Sequence, residues 1–155
     1  MGTRIGIGYD LHRLVEGIKF LLGGVKIVSN KGSLGHSDGD VLLHAICDAL
    51  FGACGLPDIG THFPDTDIEF KDMASIELLK KAYEIISMKQ DRKIVNIDTV
   101  VVCDEPKLAE HVPAMKANIA EVLKIKPEAI GIKAKTTEDT AVDTISAYAV
   151  VLLEQ

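Results

Sequence analysis

Two short segments combine histidine and aspartate with apolar residues, and together they predict a divalent metal site. The first is Gly8-Tyr9-Asp10-Leu11-His12, and the second runs from His36 to His44 as His-Ser-Asp-Gly-Asp-Val-Leu-Leu-His. Asp10 and His12 are two residues apart, the spacing that places both side chains on one face of a strand. Two imidazoles and one carboxylate, from Asp10, His12 and His44, suit Zn²⁺ and leave a fourth tetrahedral position open. An open position is typical of a catalytic zinc ion.

A helix must carry the second segment. An apolar pattern with helical spacing begins just after Ser37 and Asp38, which are good N-cap residues, and it predicts a helix over 38–55. Three polar residues of that helix are four apart and share one face: Asp40, His44 and Asp48. Asp48 could orient a ligating ring, or it could be a solvated charge on the helix.

The remaining pattern predicts one α+β domain over residues 1–155. Strands are predicted at 3–9, 95–103, 130–136 and 145–153, a hairpin with a Gly-Gly turn at 20–27, and further helices at 72–88 and 112–124. We therefore expect a two-layer sandwich, in which a mixed sheet carries helices on one face. The other face then needs a cover, which favours a homo-oligomer.

Composition excludes several classes of partner. Seventeen basic and 23 acidic residues give a net charge of −6, which argues against a nucleic-acid surface. No apolar run approaches the roughly 20 residues that span a bilayer, so no membrane partner is expected. The N-terminal residues lead directly into a strand, which predicts a cytoplasmic location, or a plastid-type organelle if a leader was removed. Motifs of P-loop, serine-elbow and zincin enzymes are absent from the sequence.

Two further polar clusters leave alternatives open. The loop 55–67 carries three carboxylates, which is typical of a solvated turn, but Ile59 and Phe63 should pack down and aim Asp58 inward, toward substrate hydroxyls. The segment Lys133-Ala-Lys-Thr-Thr-Glu138 could bind phosphate and, through Glu138, a hard cation such as Mg²⁺ or Mn²⁺. It could equally be an ordinary exposed strand end.

Five segments closely resemble one enzyme family, the 2-C-methyl-D-erythritol 2,4-cyclodiphosphate synthases of the non-mevalonate isoprenoid pathway. They are Gly-Tyr-Asp-Leu-His-Arg at 8–13, His-Ser-Asp-Gly-Asp-Val-Leu-Leu-His at 36–44, Leu-Pro-Asp-Ile-Gly at 56–60, Phe-Pro-Asp-Thr-Asp at 63–67 and Lys-Ala-Lys-Thr-Thr-Glu at 133–138. The resemblance implies a metal-dependent lyase that forms a homotrimer with active sites between subunits. Its substrate would be 4-diphosphocytidyl-2-C-methyl-D-erythritol 2-phosphate, whose 2-phosphate attacks the β-phosphorus, closes the cyclic diphosphate and expels CMP.

The resemblance also implies roles for individual residues. One zinc ion per subunit would be bound by Asp10, His12 and His44, and a second cation, Mg²⁺ or Mn²⁺, by Glu138. The catalytic candidates are His36, Asp48, Lys135 and Thr136. Substrate phosphate near the zinc would contact Asp10, His12, His36 and Ser37. The erythritol pocket would comprise Asp58, Ile59, Gly60, Phe63, Pro64, Asp65, Thr66 and Asp67. The neighbouring subunit would bind cytosine through Cys103, Asp104, Glu105, Pro106, Lys107 and Leu108. The α-phosphate region would contact Lys135, Thr136, Thr137 and Glu138.

The chain departs from the family pattern after Glu138. Family members usually continue with a glycine-rich stretch that carries an arginine, whereas residues 139–146 read Asp-Thr-Ala-Val-Asp-Thr-Ile-Ser and are several residues fewer. A phosphate contact from that loop is therefore in question.

Two other functions are compatible with the residues: a zinc-dependent phosphohydrolase, and a catalytically silent trimeric binding module.

Overall fold

A computed structural model describes residues 2–155 of the chain. Met1 of the predicted domain lies outside that range. The strands of the described chain are β1 Arg4–Glu16, β2 Phe20–Leu22, β3 Val25–Ile27, β4 Lys31–Leu34, β5 Lys93–Cys103, β6 Ile130–Lys135 and β7 Thr144–Glu154. Its α-helices are α1 Val41–Ala53, α2 Ile59–His62, α3 Ser75–Glu84, which continues into a π-helical turn at Ile85–Lys89, and α4 Val112–Leu123. None of the helices in this range is long and apolar enough to cross a bilayer.

Five strands form one mixed sheet in the order β4-β1-β7-β5-β6. Only the β5–β6 pair is parallel, and the other neighbours are antiparallel. Strands β2 and β3 form a separate hairpin that turns through Gly23 and Gly24, both at positive φ. The prediction of an α+β domain with a mixed sheet is confirmed.

The two faces of the sheet differ in what covers them. Helix α1 is almost entirely buried and packs across β1 and β7, where its apolar side chains form the centre of the core. On the opposite face, alternate residues of β1 and β7 leave large apolar side chains exposed: Ile5, Ile7, Tyr9, Leu11, Tyr148 and Val150. The rings of Tyr9 and Tyr148 lie side by side on that face, with centroids 4.8 Å apart. The sheet of one chain therefore has a covered face and a bare apolar face.

Several predicted boundaries need correction. Strand β1 does not end at residue 9 but continues to Glu16, because its alternation extends through Asp10 and His12 and pairs with β7 and then β4. Helix α1 begins at Val41 rather than near 38, since Ser37 and Gly39 both have positive φ and the N-cap is Asp40. Helix α3 begins at Ser75 rather than 72, because Asp72 has positive φ. The predicted loop 55–67 contains the short helix α2.

Candidate active site and metal centre

Asp10, His12 and His44 converge as their sequence pattern predicts. The carboxylate atom Asp10 Oδ2 lies 3.0 Å from His44 Nδ1 and 2.9 Å from His12 Nε2. One ligand atom from each of the three residues lies within 4.8 Å of the others. The two rings meet edge to face, with centroids 5.8 Å apart. Three separate side chains thus point their metal-binding atoms at one position.

Two glycines of β1 allow α1 to approach closely enough for this convergence. A Cβ added to Gly6 would lie 1.8 Å from the Ala49 carbonyl oxygen, and one added to Gly8 would lie 1.8 Å from the Ala45 carbonyl oxygen. Both glycines are on the buried face of β1, the face that Asp10 and His12 extend. Because no side chain separates the strand from the helix, His44 reaches the Asp10 carboxylate directly. A third glycine, Gly35, leaves room for the His12 ring, since a Cβ there would lie 2.6 Å from the ring.

The electrostatics of the cluster favour an ionised carboxylate. Burial by itself raises the pKa of Asp10, but its attraction to His12 and His44 outweighs that effect and holds the pKa well below its usual range. Burial lowers the pKa of His44, whereas the hydrogen bond and the charge of Asp10 raise it, and the net shift is upward. The cluster therefore holds a negative charge that attracts a cation or, in its absence, a proton.

The residues fit a zinc ion. His12 Nε2 is buried, and although it is near Asp10 its geometry is not that of a hydrogen bond, so this nitrogen has no hydrogen-bond partner in residues 2–155. A buried ring nitrogen without a partner normally costs free energy, and coordination of a metal would satisfy it. Two histidines and one carboxylate are a catalytic zinc set with one position left open.

The second nitrogen of His44 is bound by a residue that the sequence pattern did not single out. Ser75, the first residue of α3, places its Oγ 2.8 Å from His44 Nε2. The same hydroxyl hydrogen-bonds to Asp38, whose other carboxylate oxygen accepts the Ser75 backbone N–H at 3.0 Å. Thirty-one residues separate Ser75 from His44. No local spacing rule links them.

The orienting role considered for Asp48 is wrong in this structure. Its carboxylate accepts the backbone N–H of Ile59 at 2.8 Å and therefore ties the start of α2 to α1. The two nitrogens of the His44 ring bond instead to Asp10 and Ser75. Burial and the neighbouring charge of Asp58 raise the pKa of Asp48. Asp40 does not share the site face either, because it is fully buried as the N-cap of α1 and accepts the N–H groups of Gly23, Gly24 and Leu43.

A cavity of about 550 Å³ opens in front of the cluster of Asp10, His12 and His44. Most of the candidate residues from the first half of the chain line it: Asp10, His12, His36, Ser37, His44, Asp48, Ile59, Gly60, Phe63, Pro64 and Asp65. His36 stands at the rim with an exposed side chain, 3.0 Å from an Asp65 carboxylate oxygen. The Ser37 hydroxyl hydrogen-bonds to the Met73 carbonyl oxygen. Sequence reasoning missed other lining residues: Gly35, Phe70, Lys71, Asp72 and Leu78.

Three predicted pocket residues lie away from this cavity within one chain. Asp58 does not point inward as expected but is exposed, because it is the N-cap of α2 and accepts the N–H and hydroxyl of Thr61 at 2.9 and 2.8 Å. These hydrogen bonds lower the pKa of Asp58. Thr66 and Asp67 are exposed and do not line the cavity.

Six of the candidates from the second half of the chain line a second, smaller hollow of about 220 Å³. The predicted residues among its lining are Cys103, Pro106, Lys107, Leu108, Lys135 and Thr136, and Ala109 and Ala134 complete it. Burial raises the pKa of the Cys103 thiol to about 11, so this group is uncharged at neutral pH. Asp104 is nearly buried and binds Thr137 through both carboxylate oxygens, at 2.6 Å each. Glu105 and Glu138 are both exposed.

The sheet order keeps the two groups of residues apart in one chain. Lys135 on β6 pairs with Val102 on β5, which pairs with Ser146 on β7, which in turn pairs with Leu11 on β1. At about 4.8 Å per strand, the Lys135 backbone is therefore roughly 14 Å from β1. The residues predicted for one active site are thus divided into two sets at separate positions.

The short connection after Glu138 is a hydrogen-bonded turn. Glu138 and Asp139 both adopt positive φ, and Thr140 donates its N–H and its hydroxyl to the Thr137 carbonyl oxygen. Thr144 bonds to Ala141 in the same way. Residues 136–143 therefore connect β6 to β7 compactly, although no arginine is present there.

Comparison with known proteins gives a consistent result over nearly the whole chain. The sequence profile of the YgbB family matches residues 3–154. The 2-C-methyl-D-erythritol 2,4-cyclodiphosphate synthase of Syntrophomonas wolfei is 52% identical over 98% of this chain and 99% of its own length. The enzyme of that name from Fusobacterium nucleatum is 53% identical over 98% and 97%. A solved structure of a 2C-methyl-D-erythritol-2,4-cyclodiphosphate synthase in a CDP-bound form superposes with a TM-score of 0.94 at 40% identity, and covers 97% of this chain and all of that one.

Proposed function

Because the chain belongs to the YgbB family of 2-C-methyl-D-erythritol 2,4-cyclodiphosphate synthases, we propose that it catalyses the reaction for which those relatives are named. It converts 4-diphosphocytidyl-2-C-methyl-D-erythritol 2-phosphate to 2-C-methyl-D-erythritol 2,4-cyclodiphosphate and CMP, in the non-mevalonate pathway to isoprenoids. A 2-phosphate oxygen forms a bond to the β-phosphorus, and the bond from that phosphorus to the α-phosphate oxygen breaks. The observation that carries the proposal is the convergence of Asp10, His12 and His44 beside a cavity of about 550 Å³.

Charge neutralisation is the main catalytic task of the site, because two phosphate groups of like charge must meet. Asp10, His12 and His44 would hold one zinc ion per subunit. When bound, zinc supplies Lewis-acid stabilisation of the charge that develops on the β-phosphate oxygens. Proton transfer is a minor requirement, since the attacking phosphate is already ionised at neutral pH.

His36 and Ser37 would position the attacking phosphate at the rim of the cavity. His36 is exposed and can rotate from Asp65 toward an incoming anion, which would replace one carboxylate partner with another acidic group. Ser37 lies beside it in a strained backbone conformation with φ of 61°. These contacts act by bringing the reacting phosphate close to the β-phosphorus.

The far end of the cavity would hold the erythritol part of the substrate. The lining by Ile59, Gly60, Phe63, Pro64 and Asp65 supports this assignment. Thr66 and Asp67, which follow Asp65 in the chain, would reach the substrate only from outside the cavity. Asp58 would accept a substrate hydroxyl beside the exposed start of α2. Asp48 would contribute by holding the Ile59 N–H, which keeps this wall in place behind the substrate.

A homotrimer would bring the two sets of residues together. Six large apolar side chains are exposed together on the bare face of β1 and β7, and symmetric association of identical chains is the common way to cover such a face. In the trimer, the second hollow of one subunit would face the metal cavity of its neighbour. Cys103, Asp104, Glu105, Pro106, Lys107 and Leu108 would then bind cytosine, for which the CDP-bound relative is a precedent. Lys135, Thr136 and Thr137 would contact the α-phosphate.

Glu138 would hold the second divalent cation, Mg²⁺ or Mn²⁺, at the same junction. Its carboxylate is exposed, apart from a 3.1 Å contact with the Thr136 hydroxyl, so it is free to accept an ion that also binds substrate phosphates. The functional unit would be the single domain over 1–155. Its location would be the cytoplasm, or a plastid-type organelle if a leader is removed, because substrate and product are charged metabolites.

Turnover with defined products tests the proposal. Purified protein with Zn²⁺ and Mg²⁺ is incubated with the substrate, and phosphorus NMR follows CMP, cyclic diphosphate and inorganic phosphate. We expect cyclic product and CMP in equal amounts from the wild type. The variant His44→Ala should lose turnover, whereas the matched control His111→Ala, whose ring faces Glu110 outside the cavity, should keep it.

Other products would refute the proposal in distinguishable ways. Release of inorganic phosphate without a cyclic product would indicate a zinc-dependent phosphohydrolase. Binding of CDP without any turnover by zinc-loaded protein would indicate the silent binding module. Sedimentation of the same sample reports the trimer separately from the chemistry.

A further inference from the structure

The His44 ring is held at both of its nitrogens. Nδ1 lies 3.0 Å from Asp10 Oδ2 on the side of the metal cluster, and Nε2 lies 2.8 Å from Ser75 Oγ on the opposite side. The ring is mostly buried, with 12% of its side chain exposed, and Ser75 is fully buried. Water therefore has little access to the Nε2 side of the ring, and Ser75 is its hydrogen-bond partner.

The direction of the hydrogen bond between Ser75 and His44 follows from the third member of the group. A serine hydroxyl has one proton to donate, and an ionised carboxylate can only accept. The Ser75 hydroxyl bonds to Asp38, so its proton is directed to that carboxylate. Its oxygen is then left as an acceptor toward His44, which must donate an N–H from Nε2. In the neutral ring, the lone pair of Nδ1 then faces Asp10, where the proton that the two groups share in the metal-free protein would give way to a metal ion.

Asp38 is itself fixed by the backbone around it. Its two carboxylate oxygens accept the N–H of Ser75 at 3.0 Å and the N–H of Asp40 at 3.2 Å. The first bond ties it to the start of α3, and the second ties it to the residue that caps α1. These two backbone bonds hold the Asp38 carboxylate in place as the acceptor for the Ser75 hydroxyl.

We propose that Ser75, oriented by Asp38, is a positioning residue that fixes His44 as the Nε2–H tautomer, with Nδ1 presented to the metal. The inference rests on the proposed function, since it takes the Asp10–His12–His44 cluster to be a zinc site. Ring nitrogens opposite a metal commonly donate to a carboxylate or carbonyl, and loss of such a partner typically lowers metal affinity by roughly 10- to 100-fold. Here the ring bonds to the buried Ser75 hydroxyl, and the Asp38 carboxylate orients that hydroxyl.

The test measures zinc affinity by competition with a chelator, together with nitrogen-15 NMR of labelled histidine. In zinc-loaded wild type we expect His44 to show a metal-bound Nδ1 and a protonated Nε2. We expect Ser75→Ala to weaken zinc binding about 10- to 100-fold. Ser75→Thr keeps the hydroxyl and should restore most of the affinity. The matched control is Ser87→Ala. Ser87 lies just beyond the C-terminal end of α3, where its hydroxyl donates a 2.7 Å hydrogen bond to the Tyr83 carbonyl oxygen. Loss of this bond should leave zinc affinity unchanged.

Asp38→Ala tests the direction of the relay rather than its presence, because the Ser75 hydroxyl stays while the acceptor of its proton is removed. The hydroxyl can then donate to His44 Nε2 and favour the wrong tautomer. We expect this variant to lose affinity as Ser75→Ala does while its far-ultraviolet circular dichroism stays that of the wild type.

Zinc affinities within twofold of wild type for both Ser75→Ala and Asp38→Ala would overturn the inference, as would a protonated Nδ1 in the zinc-loaded wild type. Zinc binding and turnover are measured on the same samples, so the two proposals can fail separately. Wild type that shows the expected tautomer and binds zinc, but makes no cyclic product, would refute the reaction and support the positioning role. Wild type that binds no zinc would overturn the positioning role even if it turned over.

Discussion

Replacing Gly8 by alanine should separate the helix from the strand that together carry the metal ligands. The added Cβ would lie 1.8 Å from the Ala45 carbonyl oxygen and 2.8 Å from the Ala49 nitrogen. Both are backbone atoms of α1, so no rotamer change can relieve the overlap. The helix must move by about 1.2 Å before the contact reaches the 3.0 Å that real Cβ atoms respect.

That movement is large compared with what the metal site tolerates. His44 precedes Ala45 in the chain, so it moves with the carbonyl group, and its present contact with Asp10 is 3.0 Å. Metal-ligand distances in working sites stay within about 0.2 Å of their standard values. We therefore expect zinc affinity to fall at least tenfold. Overpacking of a core contact costs about 1–3 kcal/mol, and occasionally more, and a backbone clash belongs at the upper end.

Thermal unfolding of metal-free protein and chelator competition measure the two effects separately. For a domain of this size a loss of about 3 kcal/mol lowers Tm by roughly 6–12 °C. The matched control is Gly52→Ala on the same helix, where the nearest atom to the new Cβ is the Ile7 carbonyl oxygen at 3.7 Å. Gly52 is exposed in the helix interior, so alanine should raise stability by about 0.5–1 kcal/mol and leave zinc affinity unchanged.

A Gly8→Ala protein with a Tm within about 2 °C of wild type and wild-type zinc affinity would refute the reasoning, because a shift of that size is less than about 1 kcal/mol. It would mean that α1 can move away from β1 without disturbing His44, so that close packing of the helix is not what brings the ligands together.

Three further predictions concern buried carboxylates and pH. Asp40→Ala leaves three backbone N–H groups of the α1 cap and the hairpin turn without their acceptor, so we expect a loss of about 3 kcal/mol or more in urea unfolding; a loss below about 1 kcal/mol would show that water or the remaining structure replaces this acceptor. Asp104→Asn removes the negative charge from the hydrogen bonds to Thr137, so we expect weaker CDP binding in calorimetry and little change in zinc affinity. Unchanged CDP binding would show that the position of Thr137 does not affect the ligand. In metal-free protein, Asp10 raises the pKa of His44 above 6.5, so the stability from this pair is full below about pH 6.5 and declines as pH rises through the folded pKa. The stability that this pair contributes also declines as pH falls below about 4, because the pKa of Asp10 is lower in the folded protein than in the unfolded chain. Urea midpoints measured against pH should show this maximum and lose it in His44→Gln, and an equally pronounced maximum in that variant would contradict the assignment.

Some parts of the site could be predicted from local rules because their cause is local. Alternation along a strand places Asp10 and His12 on one face, whatever the strand packs against. The Gly-Gly turn and the apolar period of α1 are likewise set by backbone geometry and by burial of one face. The repeated glycines at 6 and 8 also hold a signal that can be used in advance, since glycine within a strand often marks the close approach of another backbone.

Other parts depended on contacts between residues distant in the chain. Asp38, Asp40 and Asp48 are similar in sequence context, but they serve three different purposes: one binds Ser75, one caps α1 inside the core, and one ties down α2. Sequence spacing treats them alike because it cannot show which neighbouring segment supplies the donors. Asp58 was expected to point inward for the same reason, although its donors come from Thr61 in its own turn.

The sequence by itself determined the chemistry available to this protein: an α+β fold, a ligand set that suits zinc, and a family resemblance carried by five short segments. The tertiary structure decided which atoms meet. It brought Ser75 to the far side of the His44 ring, and it placed β7 and β5 between the metal cluster and Lys135. Ligand type is a property of single residues and local periodicity, whereas distance between remote segments depends on how strands pair and how closely a helix can pack.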